Sequence, residues 1–280
     1  MKLSLCIATF NEEKFIHYPL DSAYDLVDEV IIVDGGSKDK TLEIASSYGN
    51  KVRIIKTTNP PMFHINKQKA IEAAKGEWIL QLDADEELSE ELKQEIKGIV
   101  TGPVVGFPPV SAHSRSSFRA VGSPSTRATR HSDFVAYWLS RKNFFLGRFL
   151  TKGGVYPDRT IRLYKNGVAH FPCKTVHENV EVKGKIGYLK NDLLHYADPN
   201  FSRYLKRWRR YNALDAKLLV EEGKRPGFLT YFIGKPLWNF LMMYGRHKGF
   251  MDGWQGLVFA FFSSIRYAAI YLQYQQLKNK

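Results

Sequence analysis

Residues Trp78–Glu87 read WILQLDADEE, an apolar run that leads directly into four carboxylates. The run is too short and too uniformly apolar for an amphipathic surface helix, so it predicts a strand buried on both faces of a parallel sheet. Ligands of open α/β sheets bind at the carboxyl ends of the strands. Four acids at such an end repel one another unless something positive is bound, and a divalent cation that also holds substrate phosphates meets that need.

Two of these acids have a simpler explanation. Acids are favoured at a helix N-terminus, so Glu86 and Glu87 are expected to open the next helix. That explanation does not extend to Asp83 and Asp85, which stand one residue apart at the mouth of the buried strand. Because an Asp-x-Asp pair alone is a weak signal, the surrounding elements have to decide its meaning.

Composition limits the class of protein. The chain has 280 residues and 44% hydrophobic content, enough for one large α/β domain with an appendage. Cys6 and Cys173 lack metal-ligand spacing, and Cys6 lies in an apolar run, so we expect an inert buried thiol and a reducing cytosol. The chain starts directly with a strand pattern, and no signal peptide is expected. A net charge of +13 predicts an anionic partner: a nucleotide, a nucleic acid or a membrane surface.

Strands and helices alternate along the first hundred residues. Strands are predicted at 3–8, 29–33, 52–56 and 78–83, with helices between them that end near Gly49 and Gly76, and Ser89 is expected to cap a further helix. This alternation predicts a parallel, doubly wound sheet. Several of the strands end in polar or acidic loops, which an open parallel sheet brings to one edge. The residues concerned are Asn11, Glu12, Asp34, Asp39, Asp83 and Asp85.

Three motifs in this order resemble family 2 glycosyltransferases. They are ATFNE at 8–12, VDGGSKDKT at 33–41 and LDAD at 82–85, and the helix with Asn66, Ala70, Ala73 and Ala74 before Gly76 also matches. The resemblance covers roughly residues 2–100. It implies an α/β, GT-A-type doubly wound, mostly parallel sheet and the inverting transfer of a sugar from a nucleotide-diphosphate donor.

The same resemblance assigns residues to the donor site. It implies a divalent metal, Mg²⁺ or Mn²⁺, held by Asp83 and Asp85. Carboxylates such as Asp34 and Glu12 suit base N–H groups and ribose hydroxyls, although turn and cap chemistry remains the alternative for Asp34 and Asp39. The nucleotide-sugar-binding residues implied are Thr9, Asn11, Glu12, Asp34, Asp39, Asn66 and Asp83.

The second half carries two further motifs, KGGVYPDRTIRLY at 152–164 and HFPCKTVHE at 170–178. The paired glycines Gly153 and Gly154 let the backbone approach a ligand closely. By resemblance, this glycine loop binds the donor, Asp158 is the catalytic base and His177 is a metal ligand. The usual Glu-Asp pair is Pro157-Asp158 here, so Glu178, beside His177, remains a competing candidate for the base.

Residues 111–133 are rich in serine and arginine and lack hydrophobic periodicity, which predicts a loop or lid. Two interpretations stay open: a solvated insertion without a role, or a basic flap over the diphosphate or an anionic acceptor. The basic residues are His113, Arg115, Arg119, Arg127, Arg130 and His131.

The last eighty residues are predicted to form a helical, aromatic-rich extension. Aromatic residues occur at nearly every turn of 228–274, and lysines and arginines interrupt runs that are shorter than the ~20 residues of a spanning helix. Such helices suit a membrane interface, although they could instead cap the catalytic core. We therefore expect a GT-A nucleotide-sugar domain at 1–200 and a membrane-interface or acceptor-side extension at 201–280.

Together these patterns predict a metal-dependent, inverting glycosyltransferase that is cytoplasmic and peripheral on the inner face of the cytoplasmic membrane. We expect a nucleotide-diphosphate sugar, a UDP-sugar, as donor and a cell-envelope glycan or glycolipid as acceptor. The second half, KGGVYPDR followed by RLY, resembles the lipopolysaccharide core beta-1,4-glucosyltransferases.

Three other classes fit less well. A nucleic-acid-binding protein leaves the acidic strand ends unexplained, so no nucleic-acid partner is expected. An inactive membrane-tethering scaffold has no need of Asp83, Asp85, Asp158 and His177 together. A nucleotidyltransferase would want a glycine-rich phosphate loop with a lysine near the N-terminus, which the segment TFNE at 9–12 is not.

Overall fold

The computed structural model describes residues 1–60, 62–101, 133–173 and 179–279. The chain divides into two compact units. The first unit comprises Met1–Leu139 and Thr160–Asn191, and the second comprises Ser140–Arg159 and Asp192–Lys280. The sequence placed a domain boundary near residue 200, which differs from this division. That boundary stays a prediction.

The first hundred residues alternate as predicted. Their elements are β1 (Leu3–Thr9), α1 (His17–Ala23), β2 (Glu29–Asp34), α2 (Thr41–Ser47), β3 (Val52–Lys56), α3 (His64–Glu72), β4 (Trp78–Asp83), β5 (Glu86–Leu88) and α4 (Glu90–Thr101). The expectation that Glu86 and Glu87 open a helix is wrong, because both belong to the short strand β5. The predicted cap is confirmed: the Ser89 hydroxyl accepts the Leu92 N–H at 3.2 Å.

The rest of the chain adds strands and then helices. These elements are β6 (Ala136–Phe145), β7 (Arg148–Leu150), β8 (Asp158–Lys165), β9 (Ala169–His170), β10 (Glu181–Val182), β11 (Ile186–Asp198), α5 (Phe201–Glu221), α6 (Lys235–Phe240) and α7 (Gly253–Lys278). The π-helical turns Thr230–Gly234 and Leu241–Arg246 flank α6, and a 3₁₀ turn, Gly249–Asp252, precedes α7. The predicted helical, aromatic-rich extension is confirmed.

The main sheet has the strand order β3-β2-β1-β4-β8-β6-β11-β5, with β7 paired to β6. Strands β3, β2, β1 and β4 are parallel, and β8 is antiparallel to β4. The register sets Thr9 opposite Asp34 and Ala8 opposite Asp83. The predicted GT-A-type class, an α/β fold with a mostly parallel sheet, is confirmed, and the ends of β1, β2 and β4 meet at one edge.

The centre of the first unit is apolar on both faces of its sheet. Every residue of β2 is buried, as is every residue of β4 except Asp83. Helices that cover both faces of parallel strands require such continuous apolar sequences. Cys6 is a buried free thiol whose pKa is raised by that burial, as an inert core residue requires.

The second unit is organised around α7. A row of buried residues on this helix, Gly256, Ala260 and Ser264, repeats every four positions and therefore lies on one face. Trp208 of α5 donates its indole N–H to the Phe262 carbonyl at 2.9 Å. By length and composition alone, Gly249–Lys278 is able to cross a membrane. Arg266 divides it into uncharged runs that are shorter than the ~20 residues of a spanning helix.

Candidate active site

The loops that follow β1 and β2 are tied together at the strand-end edge. The Asn11 side-chain oxygen accepts the Lys38 N–H at 2.8 Å, and the Asn11 N–H is donated to the Ser37 hydroxyl at 2.8 Å. The Glu12 N–H is donated to the Thr41 hydroxyl at 2.8 Å. Asn11 has a φ of 55°, a left-handed conformation that asparagine tolerates better than most residues. These hydrogen bonds fix the loops after β1 and β2, which we call the rim, without a ligand.

Asp34 and Asp39 accept hydrogen bonds from nearby backbone N–H groups, which is the turn and cap role that the sequence left as an alternative. Asp34 is buried, and its Oδ2 accepts the N–H groups of Gly36 at 2.9 Å and Ser37 at 3.0 Å. Asp39 Oδ1 accepts the Thr41 N–H at 3.0 Å. Burial raises the pKa of Asp39, but hydrogen bonds led by those from Thr41 outweigh it and lower that pKa. Nucleotide contacts by either carboxylate stay predictions.

Two buried oxygens near this edge lack hydrogen-bond partners among the described residues. They are Thr9 Oγ1 and Asn66 Oδ1, on side chains that are 5% and 3% exposed. The Asn66 amide nitrogen does have a partner, the Thr58 carbonyl at 2.9 Å. An unsatisfied buried polar atom costs about 1–3 kcal/mol, so such atoms are candidates for ligand contacts. Both residues are among those predicted to bind the nucleotide sugar.

Asp83 is held by an ion network within the first unit. Its Oδ1 pairs with the Lys67 ammonium, and its Oδ2 accepts from the Arg162 guanidinium at 2.6 Å. The same guanidinium reaches Glu86 at 2.7 Å and the Gln81 side-chain oxygen at 2.8 Å. Two carboxylates thus face two cations, and the network is neutral.

This neutrality corrects the electrostatic argument made from the sequence. The repulsion expected between Asp83 and Glu86 is relieved by Lys67 and Arg162, so these two acids require no bound cation. Burial opposes the charge of Arg162, but Asp83 and Glu86 outweigh it and raise the Arg162 pKa. Burial lowers the pKa of Lys67, against the attraction of Asp83. A metal ion bound by Asp83 would have to compete with both pairs, and that predicted role stays untested.

Asp85 is the remaining candidate ligand in this segment, and its side chain is half-buried. No group of three metal-ligating side chains occurs within the described ranges. Mg²⁺ and Mn²⁺ are hard ions that commonly take only one or two protein carboxylates beside substrate phosphates. A carboxylate at the end of β4 fits that use. The predicted ligand His177 and the competing base Glu178 lie outside the described residues, as does most of the 111–133 segment.

Asp158 begins β8 and belongs to the second unit. Its Oδ2 accepts from the Arg141 guanidinium at 3.0 and 2.7 Å and from the Asn143 amide at 3.1 Å. His195 Nδ1 lies 2.6 Å from Asn143 Oδ1 and so orients that amide. Burial raises the pKa of Asp158, but the Arg141 charge and these hydrogen bonds outweigh it and lower that pKa. No described residue donates to Oδ1, so one carboxylate oxygen is anchored while the other is available.

The paired glycines serve local packing in the second unit. Gly153 and Gly154 have φ angles of +70° and +76°, which side-chain-bearing residues rarely adopt. The Gly153 N–H is donated to the His247 carbonyl at 2.9 Å, and a Cβ on Gly154 would lie 3.3 Å from the His247 ring. Their predicted contact with the donor stays a prediction.

Sequence reasoning missed the partners of both carboxylate sites. In the first unit these are Lys67, Glu86 and Arg162, and in the second they are Arg141, Asn143 and His195. One signal was present: Arg162 stands between the apolar residues Ile161 and Leu163. A charge inside a buried strand is rare unless it is paired, so it could have marked Arg162 as the partner of a buried acid.

Known proteins resemble the chain over most of its length. It is 25% identical over 278 residues to the lipopolysaccharide core biosynthesis glycosyltransferase LpsC of Rhizobium meliloti, covering 95% of this chain and 92% of that protein. An uncharacterized glycosyltransferase of Rickettsia typhi is 28% identical over 284 residues, covering 96% and 86% respectively.

Solved structures are similar at lower identity. S. aureus TarS 1-349 in complex with UDP-GlcNAc is 17% identical with a TM-score of 0.42, covering 99% of this chain and 92% of that one. The mannosyltransferase PcManGT from Pyrobaculum calidifontis, in complex with GDP-Man and Mn²⁺, is 14% identical with a TM-score of 0.47, covering 96% and 73%.

The family model described as "Glycosyl transferase family 2" matches residues 4–169, which is more than half of the 280 residues. The matched range contains the three motifs at 8–12, 33–41 and 82–85 on which the resemblance was based. The family predicted from those motifs is therefore confirmed: this chain belongs to glycosyl transferase family 2.

Proposed function

We propose that this protein is an inverting glycosyltransferase that moves a sugar from a UDP-sugar to a hydroxyl of a cell-envelope glycan or lipid-linked acceptor, such as the lipopolysaccharide core. The observation that carries the proposal is the strand register. It brings Thr9, Asp34 and Asp83 to neighbouring positions at the carboxyl edge of a parallel sheet, where such sheets bind ligands. The similarity to a lipopolysaccharide core glycosyltransferase over 95% of the chain supports the acceptor class.

The donor is bound by the first unit. Thr9 Oγ1 and Asn66 Oδ1, which lack partners among the described residues, bond to the polar groups of the nucleotide. The hydrogen bonds of Asn11 and Glu12 hold the rim loop that follows Thr9 in place without ligand. Asp85 is the residue that would hold Mg²⁺ or Mn²⁺. When bound, the metal supplies positive charge to the diphosphate.

Asp158 is the general base. In the transfer, a bond forms between the acceptor oxygen and the anomeric carbon while the bond from that carbon to the diphosphate oxygen breaks. The acceptor proton goes to Asp158 Oδ1, because Oδ2 is occupied by Arg141 and Asn143. The lowered pKa keeps Asp158 ionised at neutral pH. It also makes the carboxylate a weak base, so the proton moves only as the new carbon–oxygen bond makes the hydroxyl acidic.

The protein works at the cytoplasmic face of the membrane as a peripheral enzyme. An acceptor that is lipid-linked is confined to that surface, and the exposed aromatic residues and basic charge of the second unit suit an anionic bilayer. No observation favours a nucleic-acid-binding role or an inactive scaffold.

One set of variants tests the donor site and the base separately. Asp85→Asn is expected to abolish the metal dependence of UDP binding measured by calorimetry, with Glu87→Gln as the neighbouring control. Asp158→Asn is expected to bind UDP normally and to lose about 10²–10⁴ in turnover, the usual loss for a general base.

Glu178→Gln is expected to show a milder defect than Asp158→Asn. The reverse ranking would move the base to Glu178. Metal-independent UDP binding by the unmodified protein, or near-normal transfer by both base variants, would overturn the proposed mechanism.

A further inference from the structure

The helices after residue 227 present a row of exposed apolar side chains. Leu229, Ile233, Leu237 and Leu241 repeat every four residues and are 70%, 57%, 57% and 52% exposed. Side chains four apart on a helix share a face. The segment from Thr230 to Arg246 contains no buried residue at all. A row of this length in water is unfavourable unless something covers it.

This segment forms a hairpin with α7. Asn239 donates its amide N–H to the Ser264 hydroxyl at 3.2 Å, and the rings of Phe228 and Tyr271 lie 5.9 Å apart. The helices therefore run antiparallel, and α7 adds exposed apolar residues near its start. We define the hairpin face as the exposed residues Phe228, Leu229, Ile233, Leu237, Trp238, Leu241, Phe250, Met251, Trp254, Leu257 and Phe261.

The sequence from Gly223 onward is strongly basic. Asp252 is the only acid from Gly223 to the C-terminus. It is 1% exposed and accepts the N–H groups of Thr151 at 3.0 Å and Lys152 at 2.8 Å. The cations of the same stretch are Lys224, Arg225, Lys235, Arg246, Lys248, Arg266, Lys278 and Lys280. Lys224 is paired with Glu222 and Arg266 with Asp215, and the other cations exceed the acids. An apolar face in such a basic stretch is complementary to anionic lipid, whose headgroups attract Lys and Arg.

We propose that the hairpin face lies in the interface of an anionic bilayer, with the helices parallel to its plane. Trp238 and Trp254, which are 66% and 59% exposed, sit at the headgroup boundary that tryptophan prefers. Arg246 and Lys248 contact the lipid phosphates. The hairpin face is then the surface that brings the enzyme to a lipid-linked acceptor. That role rests on the proposed function, whereas binding of the face to a bilayer does not.

Two other occupants fit the same face less well. A second copy of this chain, in a two-fold contact, would bring the cations of one hairpin against the same cations of the other. A spanning α7 would carry Arg266 to the middle of the bilayer, where a charge is costly. Arg266 is instead paired with Asp215 of α5. A bilayer interface satisfies both the apolar row and the charge.

The test is co-sedimentation of the full-length protein with vesicles of phosphatidylcholine plus phosphatidylglycerol, and with phosphatidylcholine alone. Leu237→Glu should weaken binding to the anionic vesicles by about tenfold or more, since it replaces an exposed leucine that the bilayer would bury with a charged residue. Leu218→Glu on α5 is the matched control, because Leu218 is also a helical leucine and is 45% exposed. It should bind as the unmodified protein does.

A second pair of variants tests the charge. Removing two basic residues by Arg246→Gln with Lys248→Gln should lower the affinity for anionic vesicles roughly thirtyfold, at about fivefold per cation. Lys75→Gln with Lys97→Gln removes the same charge from exposed positions in the first unit and should leave affinity unchanged. Binding should also fall as salt screens the headgroups.

Several results would overturn the proposal. The first is binding that does not depend on phosphatidylglycerol, and the second is an equal loss of vesicle affinity for Leu237→Glu and Leu218→Glu. The third is resistance of the membrane-bound protein to extraction by alkaline carbonate, which would show a spanning helix. Self-association without vesicles that Leu237→Glu abolishes would assign the face to a second copy. UDP binding measured without vesicles tests the proposed function independently, since the hairpin variants should retain it.

Discussion

Glu86→Gln should destabilise the first unit more than any other conservative change among the acids at the end of β4. Glu86 is fully buried and accepts from Arg162 at 2.7 Å through Oε1 and from the Asp83 N–H at 3.0 Å through Oε2. Glutamine has nearly the same shape but no charge and only one side-chain oxygen. Either Arg162 or the Asp83 N–H therefore loses its acceptor and meets an amide N–H instead.

The magnitude follows from these two contacts. Removing one partner of a buried ion pair costs about 3–5 kcal/mol. Arg162 keeps Asp83 at 2.6 Å and Gln81 at 2.8 Å, so the lower end, about 3 kcal/mol, is expected. For a unit of this size that corresponds to a fall in Tm of about 6–12 °C.

Thermal unfolding followed by circular dichroism measures this change, with Glu87→Gln as the control. Residues in a strand alternate between faces, so Glu87 of β5 points away from the side on which Glu86 meets Arg162. Its substitution should cost less than about 1 kcal/mol. Equal Tm losses for the two variants would show that Glu86 is not a structural counter-ion of Arg162. An unchanged Tm in Glu86→Gln would refute the neutral network altogether.

Two further predictions concern the second unit. Asn200 caps α5 by accepting the Arg203 N–H at 2.9 Å. Asn200→Ala should therefore lower the free energy of unfolding, measured by urea titration, by about 1 kcal/mol. A similar loss in Asn200→Asp, which keeps the cap, would contradict this assignment. The pKa of Asp158 is lowered by Arg141 and its hydrogen bonds, so its ion pair stabilises the fold above the ordinary value of 3.8 and loses that contribution as the pH falls through the lowered pKa. The stability difference between the unmodified protein and Asp158→Asn, expected to be below about 1 kcal/mol because the carboxylate is solvent-screened, should shrink below pH 3.8, and a difference that grew on acidification would refute it.

Local patterns were enough to predict the sheet edge. Mostly apolar runs such as Val30–Val33 and Ile79–Leu82, which contains only Gln81 as a polar residue, define strands that are buried on both faces, and helices between them require parallel pairing. The positions of Asp34 and Asp83 at the strand ends follow from where those runs end. Family membership could be predicted for the same reason, since its motifs occupy these strand ends in order.

The partners of the site residues could not be predicted by the same means. Arg162 and Asp83 are 79 residues apart in sequence, and their contact depends on β8 pairing antiparallel with β4. Nothing in the local pattern of either strand specifies that neighbour. Lys67 was hidden for another reason: a lysine on a helix is usually solvated, whereas this one is only 6% exposed.

The neutral network changes how the Asp-x-Asp segment should be understood. If Asp83 and Glu86 already have Arg162 and Lys67 as counter-ions, the first-unit site does not need a metal in order to fold. Asp85 is a half-buried carboxylate, and its negative charge is not one of the four in this network. A single divalent cation shared with a diphosphate would meet that charge. Metal dependence should therefore appear in donor binding through Asp85, while the stability of the first unit depends on Glu86 and Arg162.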